Sequence, residues 1–196
     1  MILEVIDDVI SKDYADYIHS LISEENFPWY YKKNIVTHHY ENVDENINGF
    51  MHQLYENRKS VSPYFNSLYP LILNISEKSG IKFNMLDRMR FNFVQGNFKS
   101  KLLHHMPHID NYVPHLVAIY YVNSCDGDTV IFNEFLESPD LESDEAMIAD
   151  NNWTEKLRVT PKKGRMVVFD GRYYHASSYT KLQPYRCVIN SNLAII

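Results

Sequence analysis

From residue 85 onward the apolar pattern repeats every two residues, and that period constrains the fold more than any other property of the chain. In Leu86-Asp-Arg-Met-Arg-Phe-Asn-Phe93, Met89, Phe91 and Phe93 share one face while Arg88, Arg90 and Asn92 share the other. Successive side chains of an extended strand point to opposite sides, so this spelling fits a strand with two unlike faces. The same reading gives strands at 116–122, 129–133, 157–160, 165–169 and 185–193. Leu116-Val-Ala-Ile-Tyr-Tyr-Val122 is apolar throughout.

The first third reads differently. Ser11 is placed to cap a helix whose Tyr14, Ala15, Ile18, Leu21 and Ile22 form one apolar face. Phe50, Met51, Leu54 and Tyr55 suggest a second helix. Tyr64, Phe65, Leu68, Leu71 and Ile75 suggest a third, opening after Ser62-Pro63 and stopping near Ser79-Gly80. Residues 28–45, with Trp29, Tyr30, Tyr31, His38, His39 and Tyr40, read as irregular. Residues 134–155 read as a long acidic insertion in which Pro139 discourages a central strand. The expected class is α+β, a single domain over 1–196. A helical support region (1–84) would brace a double-sheet β-sandwich (85–196).

Composition narrows the function classes. Hydrophobic residues make up 45% and charged residues 22%, an ordinary globular balance, and 15 tyrosines favour sheet. Residues 102–155 hold eleven acids and no Lys or Arg, against 14 acids and 19 bases elsewhere, so no dense basic face argues for nucleic acid. No uncharged run is long enough to span a membrane. The N-terminal Met1-Ile-Leu-Glu-Val-Ile-Asp-Asp8 lacks a basic n-region. Cys125 and Cys187 sit in no zinc-type spacing and are expected to be free thiols of a cytoplasmic protein. Nothing in the pattern fixes an oligomeric state.

The chemistry concentrates in two segments. His108-Ile109-Asp110 precedes the apolar strand, and its first and third residues would point the same way along an extended chain. Gly164-Arg-Met-Val-Val-Phe-Asp-Gly171 is followed by His175 and then by Arg186-Cys-Val-Ile189. Two imidazoles and one carboxylate on one side of a metal leave three positions free, an arrangement suited to non-haem Fe(II) activating O2. A His-x-Asp pair arises by chance about 0.6 times in a chain with these His and Asp numbers, so the pair alone carries little. Its context carries more. A strand and the Gly127-Asp128 turn follow the pair, Pro161-Lys-Lys-Gly164 turns into another strand, and Arg186 comes 11 residues after His175. On its alternating strand Arg186 shares a face with Val188 and Asn190. A guanidinium buried there needs an anion, from an acid at the sheet edge or from a dicarboxylate cosubstrate.

This order resembles the iron(II)/2-oxoglutarate-dependent dioxygenase superfamily, and within it the prolyl 4-hydroxylase-like branch, over about residues 85–196. The resemblance implies a double-stranded β-helix, that is, a jelly-roll or cupin-like β-sandwich, as the catalytic core. It also implies that His108, Asp110 and His175 bind Fe(II), and that Arg186 binds the C5 carboxylate of 2-oxoglutarate. Ile119-Tyr-Tyr-Val-Asn123 looks like the family's strand after the first ligands, whose second Tyr, here Tyr121, hydrogen-bonds the same carboxylate. The implied reaction consumes 2-oxoglutarate and O2 and hydroxylates an unactivated C–H, with a peptidyl proline as the commonest target. Because Asp110 fills the carboxylate position, hydroxylation is preferred over halogenation.

Arg90 and Asn92 are candidate contacts to cosubstrate or substrate, since the matching strand borders the active site in that family. His104, His105 and His115 flank the site, either facing it or as plain half-exposed positions. His19 and His52 are expected at the surface, and adjacent His38 and His39 would point apart. The Trp29-Tyr30-Tyr31 cluster is read as core or as a cover for the site. The acidic segment is either a solvated loop or a lid favouring a basic peptide. The competing reading is a cupin-like metal protein, an isomerase or ligand-binding module, without oxygenase activity. Such a protein has no need of a carboxylate anchor at Arg186. The substrate is a peptide, a protein or a small molecule.

Overall fold

The computed structural model describes residues 2–35, 47–138, 140–150 and 152–195. His38, His39, Tyr40 and Pro139, for which the sequence carries expectations, lie outside the described residues. The N-terminal elements are β1 (Leu3–Ile6), α1 (Lys12–Leu21), β2 (Tyr30–Lys32), β3 (Gly49–Glu56), β4 (Lys59–Ser60), α2 (Phe65–Leu68) and α3 (Pro70–Ser79). The rest are β5 (Met85–Gln95), β6 (His115–Tyr121), β7 (Thr129–Phe135), α4 (Leu141–Asp150), β8 (Glu155–Val159), β9 (Met166–Asp170), β10 (Tyr173–Ser177) and β11 (Tyr185–Ala194).

The strands form two antiparallel sheets. The larger has the order β1-β9-β6-β11-β5-β3-β2 with β4 beside β3, and the smaller has the order β10-β7-β8. Alternation then sorts the side chains into layers. On β6, Leu116, Ala118 and Tyr120 face the helices, while Val117, Ile119 and Tyr121 face the small sheet. Both faces are covered, which is why the strand is apolar from Leu116 onward and buried along its length. Between the sheets, Ile131, Val159, Val167, Phe169, Tyr173 and Val188 complete the filling. Each such aliphatic or aromatic side chain contributes about 1.5–3 kcal/mol by leaving water.

The helices pack on the other face of the large sheet. Ser11 caps α1 by accepting from the Tyr14 amide at 3.3 Å, and Ala15, Ile18 and Leu21 are buried with Leu71, Ile72 and Ile75 of α3. Gly80 ends α3 at φ 71°, a left-handed conformation that favours glycine over residues bearing a Cβ.

Three expectations are corrected. Residues 50–55 do not form a helix; they lie in β3, paired with β5. The N-terminal region is therefore only partly helical and supplies β1, β2, β3 and β4 to the large sheet. His52 is not at the surface: it is 4% exposed, with Nδ1 against the Pro28 carbonyl at 2.8 Å and Nε2 against Ser62 Oγ at 2.7 Å. The acidic insertion contains α4, which covers the outer face of the small sheet and does not line the cleft described below. Met147, Ile148 and Trp153 pack there on Val130, Phe132 and Tyr174. Asp144 accepts from Tyr112 Oη at 2.8 Å and Tyr174 Oη at 2.5 Å.

Trp29 lies against Phe27, Phe91 and Phe93, so it belongs to the core, while Tyr30 and Tyr31 are exposed. His19 is half-buried and meets Tyr185 Oη at 3.1 Å. Both cysteines are buried free thiols, and burial raises the pKa of each. No described helix is long and apolar enough to cross a membrane.

Candidate metal centre and its cleft

Between the two sheets, polar residues replace apolar ones at one end, and a cleft opens there. The segment before β6 runs beside β10. His108 and His175 exchange backbone hydrogen bonds of 3.0 and 2.9 Å as an isolated antiparallel bridge. Their rings lie 4.5 Å apart, centroid to centroid. Asp110, two residues on, turns its carboxylate to the same point, and one ligand atom from each of His108, Asp110 and His175 lies within 4.8 Å of the others. Atoms about 2.1 Å from a common ion are at most about 4.2 Å apart, so modest side-chain rotation closes the set.

The surroundings orient each donor. His108 Nδ1 faces the Met106 carbonyl at 3.3 Å and His175 Nδ1 faces the Tyr173 carbonyl at 3.2 Å. A carbonyl only accepts, so Nδ1 carries the proton in both rings and Nε2 keeps its lone pair. Asp110 Oδ2 accepts from Asn190 Nδ2 at 3.1 Å and Asn192 Nδ2 at 3.2 Å, and pairs with Arg88 Nη2 at 3.1 Å. Oδ1 is left facing His108 Nε2 at 3.8 Å.

Burial alone would raise the Asp110 carboxyl. Arg88, then the two imidazoles and Arg90, outweigh it and hold the group well below the usual carboxylate range. Burial lowers the pKa of His175, keeping it neutral, as a ligand must be. The donor set, two imidazoles and one carboxylate, suits a divalent transition metal.

Arg186 forms the second pole of the cleft. It is buried on β11, donates through Nε to the Gly127 carbonyl at 2.8 Å and through Nη2 to Thr129 Oγ1 at 2.8 Å. Tyr121 Oη donates to the same Thr129 oxygen at 2.8 Å. Tyr121 therefore stands behind the guanidinium, with its ring centroid 5.8 Å from Arg186 Cζ. No carboxylate among the described residues pairs with Arg186. From Asn190 beside Asp110, four residues of β11 lead to Arg186, about 13 Å along the strand.

Arg90 and Asn92 line the same cleft from β5. His105 is buried near Arg186, with Nδ1 3.0 Å from Ser177 Oγ. His115 is buried too, its Nδ1 on the Val113 carbonyl at 2.7 Å. His104 packs on Phe132. Sequence reasoning missed three site residues: Asn192, Thr129 and the pairing role of Arg88. Extending the period-two face of β11 from Asn190 by one step would have found Asn192.

No protein-family model and no curated protein matches the sequence. Solved structures do match the fold. An oxidoreductase of the 2OG-Fe(II) oxygenase family from Burkholderia pseudomallei aligns at TM-score 0.68 and 9% identity, over 98% of this chain and 84% of that one. The non-haem α-ketoglutarate-dependent epimerase SnoN of nogalamycin biosynthesis aligns at 0.68 and 11%, over 98% and 78%. A prolyl-4-hydroxylase from Pseudomonas putida aligns at 0.57 and 13%, over 99% and 92%. The chain therefore has the double-stranded β-helix, or jelly-roll, fold of these oxygenases.

Proposed function

We propose that this chain, built on the fold of the 2-oxoglutarate-dependent oxygenases, is itself an Fe(II)- and 2-oxoglutarate-dependent dioxygenase that hydroxylates an unactivated C–H bond. One observation carries the reading: two imidazoles and a carboxylate converge in the cleft whose far end holds a buried arginine with no acidic partner among the described residues. His108, Asp110 and His175 would hold the ferrous ion. Bound there with 2-oxoglutarate and O2, iron supplies an oxidant strong enough for C–H cleavage, while 2-oxoglutarate leaves as succinate and CO2.

The remaining work belongs to the protein. Arg186, with Nη1 uncommitted and its other edge fixed by Gly127 and Thr129, would grip the distal carboxylate of the diacid. The Nδ1 bonds to carbonyls keep both histidines in the ligating tautomer. Ile119 and Val188 exclude water between the two poles. A peptidyl proline is the target the resemblance implies, and it belongs in the assay beside free and acylated amino acids. The likeness to an epimerase as well as to a prolyl hydroxylase leaves the outcome of the C–H step to experiment.

The test is succinate release by the iron-loaded protein across peptides, amino acids and other small molecules. The expected result is 2-oxoglutarate-dependent, iron-dependent succinate production that a true substrate stimulates. Tight zinc or manganese binding with no 2-oxoglutarate turnover would favour the cupin-like alternative.

A further inference from the structure

Among the described residues, no acid pairs with the buried cation Arg90. It lies on the cleft face of β5, 9% exposed, and its Nε is buried with no hydrogen-bond partner. Its recorded contact is Nη1 with Met51 Sδ at 3.6 Å, and a thioether is a weak acceptor. Arg88 is already committed to Asp110 and to Asn192 Oδ1. The charges acting on Arg90 are Arg88, which repels it, and Asp110 and Glu56, which attract it from beyond ion-pair distance. Burial, reinforced by Arg88, pushes the guanidinium down to about 10. A buried guanidinium without a counter-ion is costly, and an anion entering the cleft would relieve that cost.

A second observation stands beside it. Asn92 Oδ1 and Asn190 Oδ1 are buried and without partners among the described residues. Asn190 lies directly opposite Arg90 across the β5–β11 pair. Its amide orientation is fixed because Nδ2 donates to Asp110 Oδ2, so Oδ1 is an acceptor awaiting a donor. The charge of the cleft points the same way. Among the described residues its lining carries Arg88, Arg90 and Arg186 against Asp110. Arg88 answers Asp110, and a diacid at Arg186 leaves Arg90 over.

We propose that Arg90 anchors the carboxylate of a small acidic substrate whose N–H groups are received by Asn92 and Asn190. The substrate class is thus an amino acid or N-acylated amino acid, not an internal residue of a peptide, which has no free carboxylate to offer. The oxygenase reading is needed for what happens to this molecule, but not for its binding.

The experiment is calorimetric titration of the full chain, loaded with manganese and 2-oxoglutarate, with N-acetyl amino acids beside their carboxamides and with inorganic phosphate. At least one free acid should bind tenfold or more tightly than its amide. Arg90→Met should shrink that ratio below threefold, with Arg90→Lys intermediate. Thermal melting and circular dichroism of each variant report folding, and the acid-to-amide ratio of the unaltered chain stands without any variant. Equal affinity for acid and amide, no binding by any acid, a preference for phosphate, or discrimination that survives in folded Arg90→Met would each overturn the assignment. An iron–2-oxoglutarate absorption band read in parallel separates the two proposals. Acid preference without the band sinks the oxygenase reading alone, and the band without acid preference sinks this one alone.

Discussion

At Asp110 the two carboxylate oxygens have different work. Oδ2 is held by two asparagine amides and a guanidinium, so Oδ1 keeps one orientation toward the histidines. Holding a ligand by its non-ligating atom removes rotational freedom before a metal arrives. Arg186 is treated the same way, fixed along Nε and Nη2. Arg186→Met should therefore weaken 2-oxoglutarate binding at least about thirtyfold, or about 2 kcal/mol, the size expected when one partner of a buried charged pair is removed. Equilibrium titration of 2-oxoglutarate measures it, and an unchanged affinity would place the cosubstrate elsewhere. At this scale His108 and Asp110 were legible as a pair from period-two spacing, and His175 and Arg186 from the family resemblance. Thr129 and Asn192 were not, because a small polar residue in a strand reads equally well as a solvated one.

Among the elements, α4 shows how charge in the sequence can mislead. Its acids suggested a loop or lid, yet one of them, Asp144, is 4% exposed and receives two tyrosine hydroxyls. Asp144→Ala leaves those hydroxyls, one on fully buried Tyr174, without that acceptor and should cost about 1–3 kcal/mol of stability. Urea denaturation would read that loss. Binding of 2-oxoglutarate should be untouched, since α4 lies on the face of the small sheet opposite His175. β3 misled for a different reason. Phe50, Met51, Leu54 and Tyr55 sit at helical spacing, whereas the strand buries His52 and Leu54 on alternate positions. A histidine with both nitrogens satisfied behaves as a core residue, but hydropathy counts it as polar. The uniformly apolar or cleanly alternating strands, β5, β6 and β11, left no such ambiguity.

For the whole molecule, several histidines buried neutral set the response to acid. Burial, with Arg186 and His104 adding repulsion, pushes His105 down to about 3, and burial lowers His52 and His175 as well. The unfolded chain protonates these rings near about 6.5. Below that pH it binds more protons than the folded chain, so stability falls as pH drops from about 6.5 toward 3. The depressed Asp110 adds a further loss only below the ordinary carboxylate range. Urea denaturation of the metal-free protein at a series of pH values should show this slope, and His105→Gln should flatten part of it. A stability that held level from pH 7 to 4 would contradict the neutral, buried assignment.

Three side chains are assigned to one ion, and anaerobic titration with ferrous iron in the presence of 2-oxoglutarate tests this most directly. A weak visible charge-transfer band should grow and saturate at one iron per chain, and Asp110→Ala or His175→Ala should abolish it. No band in the unaltered protein, or an undiminished band in folded Asp110→Ala and His175→Ala chains, would contradict the assignment of this centre.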